Sequence, residues 1–72
     1  MTVRVVVNIK DKDGGEYVEL YDNLPVSEVL PAVQRDFMYA MNRFSSVKVK
    51  GYGYSRGELA QIKHNIEKAG NI

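Results

Sequence analysis

The chain has 72 residues and a mass of 8.2 kDa, with 44% hydrophobic and 26% charged residues, the composition of one small globular domain spanning 1–72. A large multi-domain enzyme is excluded. Ten Lys and Arg against nine Asp and Glu leave a formal charge of +1, too weak a field to steer the chain onto duplex DNA or an anionic membrane.

With no cysteine there can be no disulfide framework, thiolate metal site or cysteine nucleophile, and a reducing cytoplasm is the expected location. A secretory signal needs roughly 7–15 apolar residues and a membrane span roughly 20. The longest apolar run near the start is Val5-Val6-Val7, so a soluble protein with no membrane partner is expected. Met1 opens directly into patterned sequence, which reads as the start of a complete small gene product.

From Thr2 to Lys10 the chain alternates, with Val3, Val5, Val7 and Ile9 at one parity and Arg4, Asn8 and Lys10 at the other, the period-2 pattern of a half-buried strand. Val6 is the apolar residue on the polar side. Asp11-Lys12-Asp13-Gly14-Gly15 supplies turn residues, and Glu16 to Tyr21 alternates again, predicting a β-hairpin with Val18 and Leu20 inward and Tyr17, Glu19 and Tyr21 outward. Asp22-Asn23-Leu24-Pro25 breaks the strand.

Val29 or Leu30, Val33, Phe37, Ala40, Met41 and Phe44 then recur at helical spacing, predicting a helix over 27–43. Pro31 should fall in its first turn, where the missing N–H is harmless, or mark a break. Met38 and Tyr39 lie off the main stripe and are candidates to extend a contact surface. A third strand is predicted from Ser46 to Tyr54, with Val47 and Val49 facing one way and Lys48, Lys50, Tyr52 and Tyr54 the other. Ser55-Arg56-Gly57-Glu58 has capping-box spacing, and Leu59, Ile62, Ile66 and Ala69 form the buried stripe of a second helix that Gly70 ends as its C′ residue.

The predicted fold is therefore α+β, a two-layer ββαβα domain: a three-stranded, mainly antiparallel sheet of order 2-1-3 with both helices on one face. The other face is left bare. A fourth strand from a second copy, paired at an exposed edge, is one way to finish it.

On that bare face the alternation gathers Arg4, Lys10, Tyr17, Tyr21, Lys48, Lys50, Tyr52 and Tyr54, four of the five tyrosines and four cations, against the carboxylate of Glu19. Tyrosine joins a large stacking surface to a polar tip, so these eight residues are the candidate binding surface. A solvated antiparallel face uses the same residue types without binding anything.

Lys50-Gly51-Tyr52-Gly53-Tyr54 resembles the first five positions of the RNP1 pattern of the RNA-recognition motif. The resemblance implies stacking by Tyr52 and Tyr54 and a backbone contact from Lys50. It covers five residues and stops at Ser55 and Gly57, and the family's element order is βαββαβ, so it is a likeness of surface chemistry.

The spacing Gly51-x-Gly53-x-x-x-Gly57 fits no phosphate loop, Asp11-x-Asp13-Gly14 reads as a turn and not a calcium loop, and His64 points away from the second helix's apolar stripe. No catalytic, metal or cofactor constellation converges. The expected function is that of a non-catalytic binding module, acting on a protein partner or a second copy of itself, as compact bacterial or phage accessory proteins and inhibitors do. The alternative is a binder of single-stranded nucleic acid, stacking bases on the tyrosines and holding phosphates with the cations.

Overall fold

In β1 (Arg4–Asp11) the alternation does what the pleat requires: Val5, Val7 and Ile9 are fully buried on one side, while Arg4, Val6 and Asn8 lie half-buried on the other. The computed structural model describes residues 2–37 and 43–70 and continues through β2 (Glu16–Asp22), α1 (Val26–Phe37), β3 (Phe44–Tyr52) and α2 (Arg56–Ala69). The sheet has order β2-β1-β3, and β1 pairs antiparallel with both neighbours. Both helices lie on the side of Val5, Val7 and Ile9, where Val29, Ala32, Val33, Phe37, Phe44, Val47, Ile62 and Ile66 complete a single core. The fold is the α+β arrangement the sequence predicts.

Asn23 takes a left-handed φ of 61° between β2 and α1, and its amide donates to the Val3 carbonyl at 2.7 Å, which turns the chain toward the helix layer. Pro31 lies in the second turn of α1, one turn later than its chemistry suggests. Its absent N–H deprives the Ser27 carbonyl of a partner, and because both residues are exposed that carbonyl is open to water. The predicted continuation of the helix through Met38, Tyr39, Ala40 and Met41 falls outside the described residues. Phe44, expected to close the helical stripe, instead opens β3. It is 1% exposed and meets the Phe37 ring edge-on at 6.5 Å.

The capping box on α2 is complete: the Glu58 amide donates to Ser55 Oγ at 3.1 Å, and the Ser55 amide donates to Glu58 Oε1 at 2.8 Å. Gly70 ends the helix but not in the left-handed conformation expected of it, since its φ is −87°. Close approach makes the glycine necessary, because a Cβ there would lie 2.8 Å from Phe44 Cδ2.

β2 overturns the predicted alternation. Tyr17, Glu19 and Tyr21 face the helices, and Val18 and Leu20 face away from them. The cause is the length of the hairpin loop. Asp11 pairs with Gly15 through a 2.9 Å bond from the Asp11 amide to the Gly15 carbonyl, which leaves Lys12, Asp13 and Gly14 as the loop. A loop with an odd number of residues joins strand positions of equal parity, whereas the even loop implied by the predicted alternation would have put Val18 opposite Ile9. A single residue of loop length inverts every side chain of the second strand.

Local chemistry selects the odd loop. The Gly14 amide closes a turn on the Asp11 carbonyl at 3.2 Å, and Gly14 adopts a φ of 88° that costs other L-residues about 1–2 kcal/mol. The Asp11 carboxylate, 6% exposed, accepts from the amides of Asp13 at 2.8 Å and Gly15 at 2.9 Å and from the Tyr17 hydroxyl at 2.9 Å. Tyr17 thus fastens the parity from the strand side. The Gly15 amide first, and then the Tyr17 hydroxyl, hold the Asp11 carboxyl below the usual carboxylate range.

Candidate binding surface

Residues directly opposite in an antiparallel pair point the same way, so the register on both flanks of β1 writes out the open face in rows. The rows run Asp22, Arg4, Tyr52; then Leu20, Val6, Lys50; then Val18, Asn8, Lys48; then Glu16, Lys10, Ser46. No described helix covers them. Val18 is 61% exposed, Leu20 46% and Tyr52 72%.

Of the eight residues expected to form the binding surface, Arg4, Lys10, Lys48, Lys50 and Tyr52 lie on this face, and the other tyrosines leave it. Tyr17 packs its ring on Phe37 at 5.8 Å on the helix side. Tyr21 is 8% exposed, and its hydroxyl donates to Asp36 Oδ2 at 2.8 Å. Burial, and then the Asp36 carboxylate, push its phenol well above the ordinary tyrosine value. Asp36 is held low, by the Arg35 guanidinium first and the Tyr21 hydroxyl second.

Tyr54 is lost to the face for a different reason. β3 ends at Tyr52, and Gly53 turns the chain with a φ of 77°, a conformation and a tight fit against Val3 that exclude a side chain. Beyond that turn the period-2 count no longer applies. Tyr54 packs against the core, and its hydroxyl donates to the Leu24 carbonyl. Burial raises its phenol. The likeness to the RNP1 pattern accordingly holds for one outward ring, Tyr52.

The charge of the face also differs from expectation. Glu19 has moved to the helix side, and Glu16 and Asp22 stand on the open one. Arg4 pairs with Asp22 through Nε to Oδ1 at 2.7 Å and Nη2 to Oδ2 at 3.2 Å, which lowers the Asp22 carboxyl and raises the Arg4 guanidinium. Lys10 Nζ lies 3.4 Å from Glu16 Oε1. Lys48 and Lys50 form no ion pair with a described residue.

Sequence reasoning missed Val18 and Leu20 as surface residues, and Glu16 and Asp22 as part of the site. A signal for them existed. Val6, apolar on the polar side of β1, sits directly opposite Leu20 and diagonal to Val18, so the two strands carry one aliphatic patch that Tyr52 borders at the β3 end.

Comparison with protein-family models, curated proteins and solved structures finds no match. No described helix is long and apolar enough to cross a membrane.

Proposed function

We propose that the protein is a non-catalytic protein-binding module whose contact surface is the open sheet face centred on Val6, Val18, Leu20 and Tyr52. The observation that carries this reading is the exposure of Val18 and Leu20, 61% and 46%, on a strand whose tyrosines are turned inward. Polar side chains fit a solvated sheet face well, so an aliphatic cluster there points to a partner surface. An aromatic ring beside aliphatics, with Arg4 at the rim, has the make-up of an interface centre.

The competing ligand is single-stranded nucleic acid, with Lys48 and Lys50 on phosphates. Base stacking is worth about 1–3 kcal/mol per ring. With Tyr17, Tyr21 and Tyr54 turned away from the open face, Tyr52 is the ring left among the described residues of that face to supply it.

The test is affinity capture from an extract of the source cells with wild type, Leu20→Lys, and Lys63→Glu on the outer side of α2, read by cross-linking and mass spectrometry. A stoichiometric protein partner, a second copy included, that is kept by Lys63→Glu and lost by Leu20→Lys is the expected result. Equal capture by Leu20→Lys would overturn the assignment of the face. A gain of mass with mixed-sequence oligonucleotide at low salt, abolished by Tyr52→Ala, would overturn the choice of ligand.

A further inference from the structure

The open face is polarised across its width. Its β2 flank carries Glu16, Val18, Leu20 and Asp22, with carboxylates and aliphatics and no cation. Its β3 flank carries Ser46, Lys48, Lys50 and Tyr52, with cations and no carboxylate. A surface that is acidic and apolar along one edge and basic along the other is complementary to itself under one particular rotation.

Resting on the function proposed above, we infer that the occupant of this face is a second copy of the chain, stacked face to face about a two-fold axis parallel to the strands. That rotation exchanges the flanks, so each β3 lies over the partner's β2 and each row lies over the same row reversed. Lys50 and Lys48 run over Leu20 and Val18, covering them with methylene stems and sending their ammonium groups toward Asp22 and Glu16 of the partner. Tyr52 comes over Asp22, and Val6 meets Val6 at the centre. Arg4 and Lys10 meet their own copies on the axis, so Asp22 and Glu16 are each shared between a cation of their own chain and a lysine of the partner.

The alternative two-fold axis, across the strands, is disfavoured on both flanks. It stacks Lys50 on Lys48 and Asp22 on Glu16, while its contact of Arg4 with Lys10 is no better than the self-contacts of Arg4 and Lys10 on the first axis. Like-charge juxtaposition across an interface costs several kcal/mol. Charge on the two flanks therefore selects one arrangement from two that use the same face.

Strand spacing and rise make the face about 14 Å by 24 Å, so two stacked copies cover roughly 700 Å² in plan, below the range of stable interfaces, and a weak dimer is expected. It should dissociate on dilution. Sheets stacked about 10 Å apart leave facing side chains within reach of a short thiol cross-linker. The natural chain lacks cysteine, so introduced thiols report without background.

The experiment combines sedimentation over roughly 5–500 µM with cross-linking of two singly substituted chains, Leu20→Cys and Lys50→Cys, by a bismaleimide of about 8 Å, matched to the intersheet gap. We expect mass to rise with concentration toward twice 8.2 kDa, a single-chain mass throughout the series for folded Leu20→Lys, and cross-linked dimer at least tenfold richer in the mixture than in either substituted chain alone. A wild type that stays at one chain mass at 500 µM overturns the second copy as occupant, yet leaves the protein-binding face intact if capture still finds a partner lost by Leu20→Lys. Efficient cross-linking of Lys50→Cys alone or Leu20→Cys alone overturns this axis in favour of the one across the strands or of edge pairing. A dimer that survives Leu20→Lys overturns the role of this face in self-association.

Discussion

The two outer strands of the sheet, β2 and β3, differ in charge and in which of their residues they bury. Both mix aliphatic residues with tyrosine, yet β3 turns Val47 inward and Tyr52 outward, whereas β2 turns Tyr17 and Tyr21 inward and Val18 and Leu20 outward. Hydropathy alone favours the β3 solution in both places. In β2 the register set by a three-residue loop prevails, because Asp11 and Asp36 each give an inward tyrosine an acceptor. A ring with a satisfied hydroxyl fills the core side of an edge strand well, and the displaced aliphatics become surface.

The strongest way to break this comparison is to change the loop parity. Deleting Lys12 leaves an even loop and obliges β2 to exchange its faces, which takes Tyr17 and Tyr21 out of the core and leaves Asp11 and Asp36 without their hydroxyl donors. The expected cost is comparable to the total stability of a chain of this length, roughly 4–10 kcal/mol at 0.05–0.15 kcal/mol per residue, so cooperative urea unfolding should disappear. An unchanged unfolding midpoint would show that the loop does not set the parity.

Phe37→Ala comes next, because it removes the ring that both Tyr17 and Phe44 contact. Loss of about 3–5 kcal/mol by urea titration is expected. Tyr21→Phe keeps the ring and deletes the bond to Asp36, and about 1–2 kcal/mol should be lost. On the β3 side, Tyr52→Ala should shift stability by less than about 0.5 kcal/mol in the monomer, since that ring lies outside the core. A loss comparable to that of Tyr21→Phe would contradict the assigned asymmetry.

Acid sharpens the comparison further. The Asp11 carboxyl is depressed in the folded state, so its contribution is present above the unfolded carboxylate value of about 3.9 and is lost as pH falls through the lower folded value. Asp22 and Asp36 behave alike, through Arg4 and through Arg35 with Tyr21. Urea midpoints of wild type and Asp11→Asn should therefore differ most near neutral pH and converge as pH falls below the ordinary carboxylate range. A gap that stays constant down to pH 2 would show that Asp11 acts by shape alone.

The element order, the sheet order and most of the helical stripes were legible in the residues, because periodicity and capping chemistry report on their own segments. The Ser55 and Glu58 box needed only local spacing. What remained illegible depended on a count passed between segments. The parity of β2 hung on whether Asp11 or Lys12 closes the hairpin, and the placement of Tyr54 hung on where Gly53 interrupts the period. Both had local signs: an aspartate three residues before Gly14, which favours a turn closed by Asp11, and a glycine able to take a positive φ. Five of the eight expected surface residues kept their place because they lie on strands whose parity was read correctly.

β1 is the central strand, and it is made before the segment that supplies its second neighbour, as in the pairing of Val7 with Val49. While β3 is still being made, α2 is missing from the helix layer over Val5, Val7 and Ile9, and one edge of β1 has no partner. Completion of the sheet is thereby deferred until β3 has been made, and the interval in which one edge of β1 stays open is built into the order of the strands.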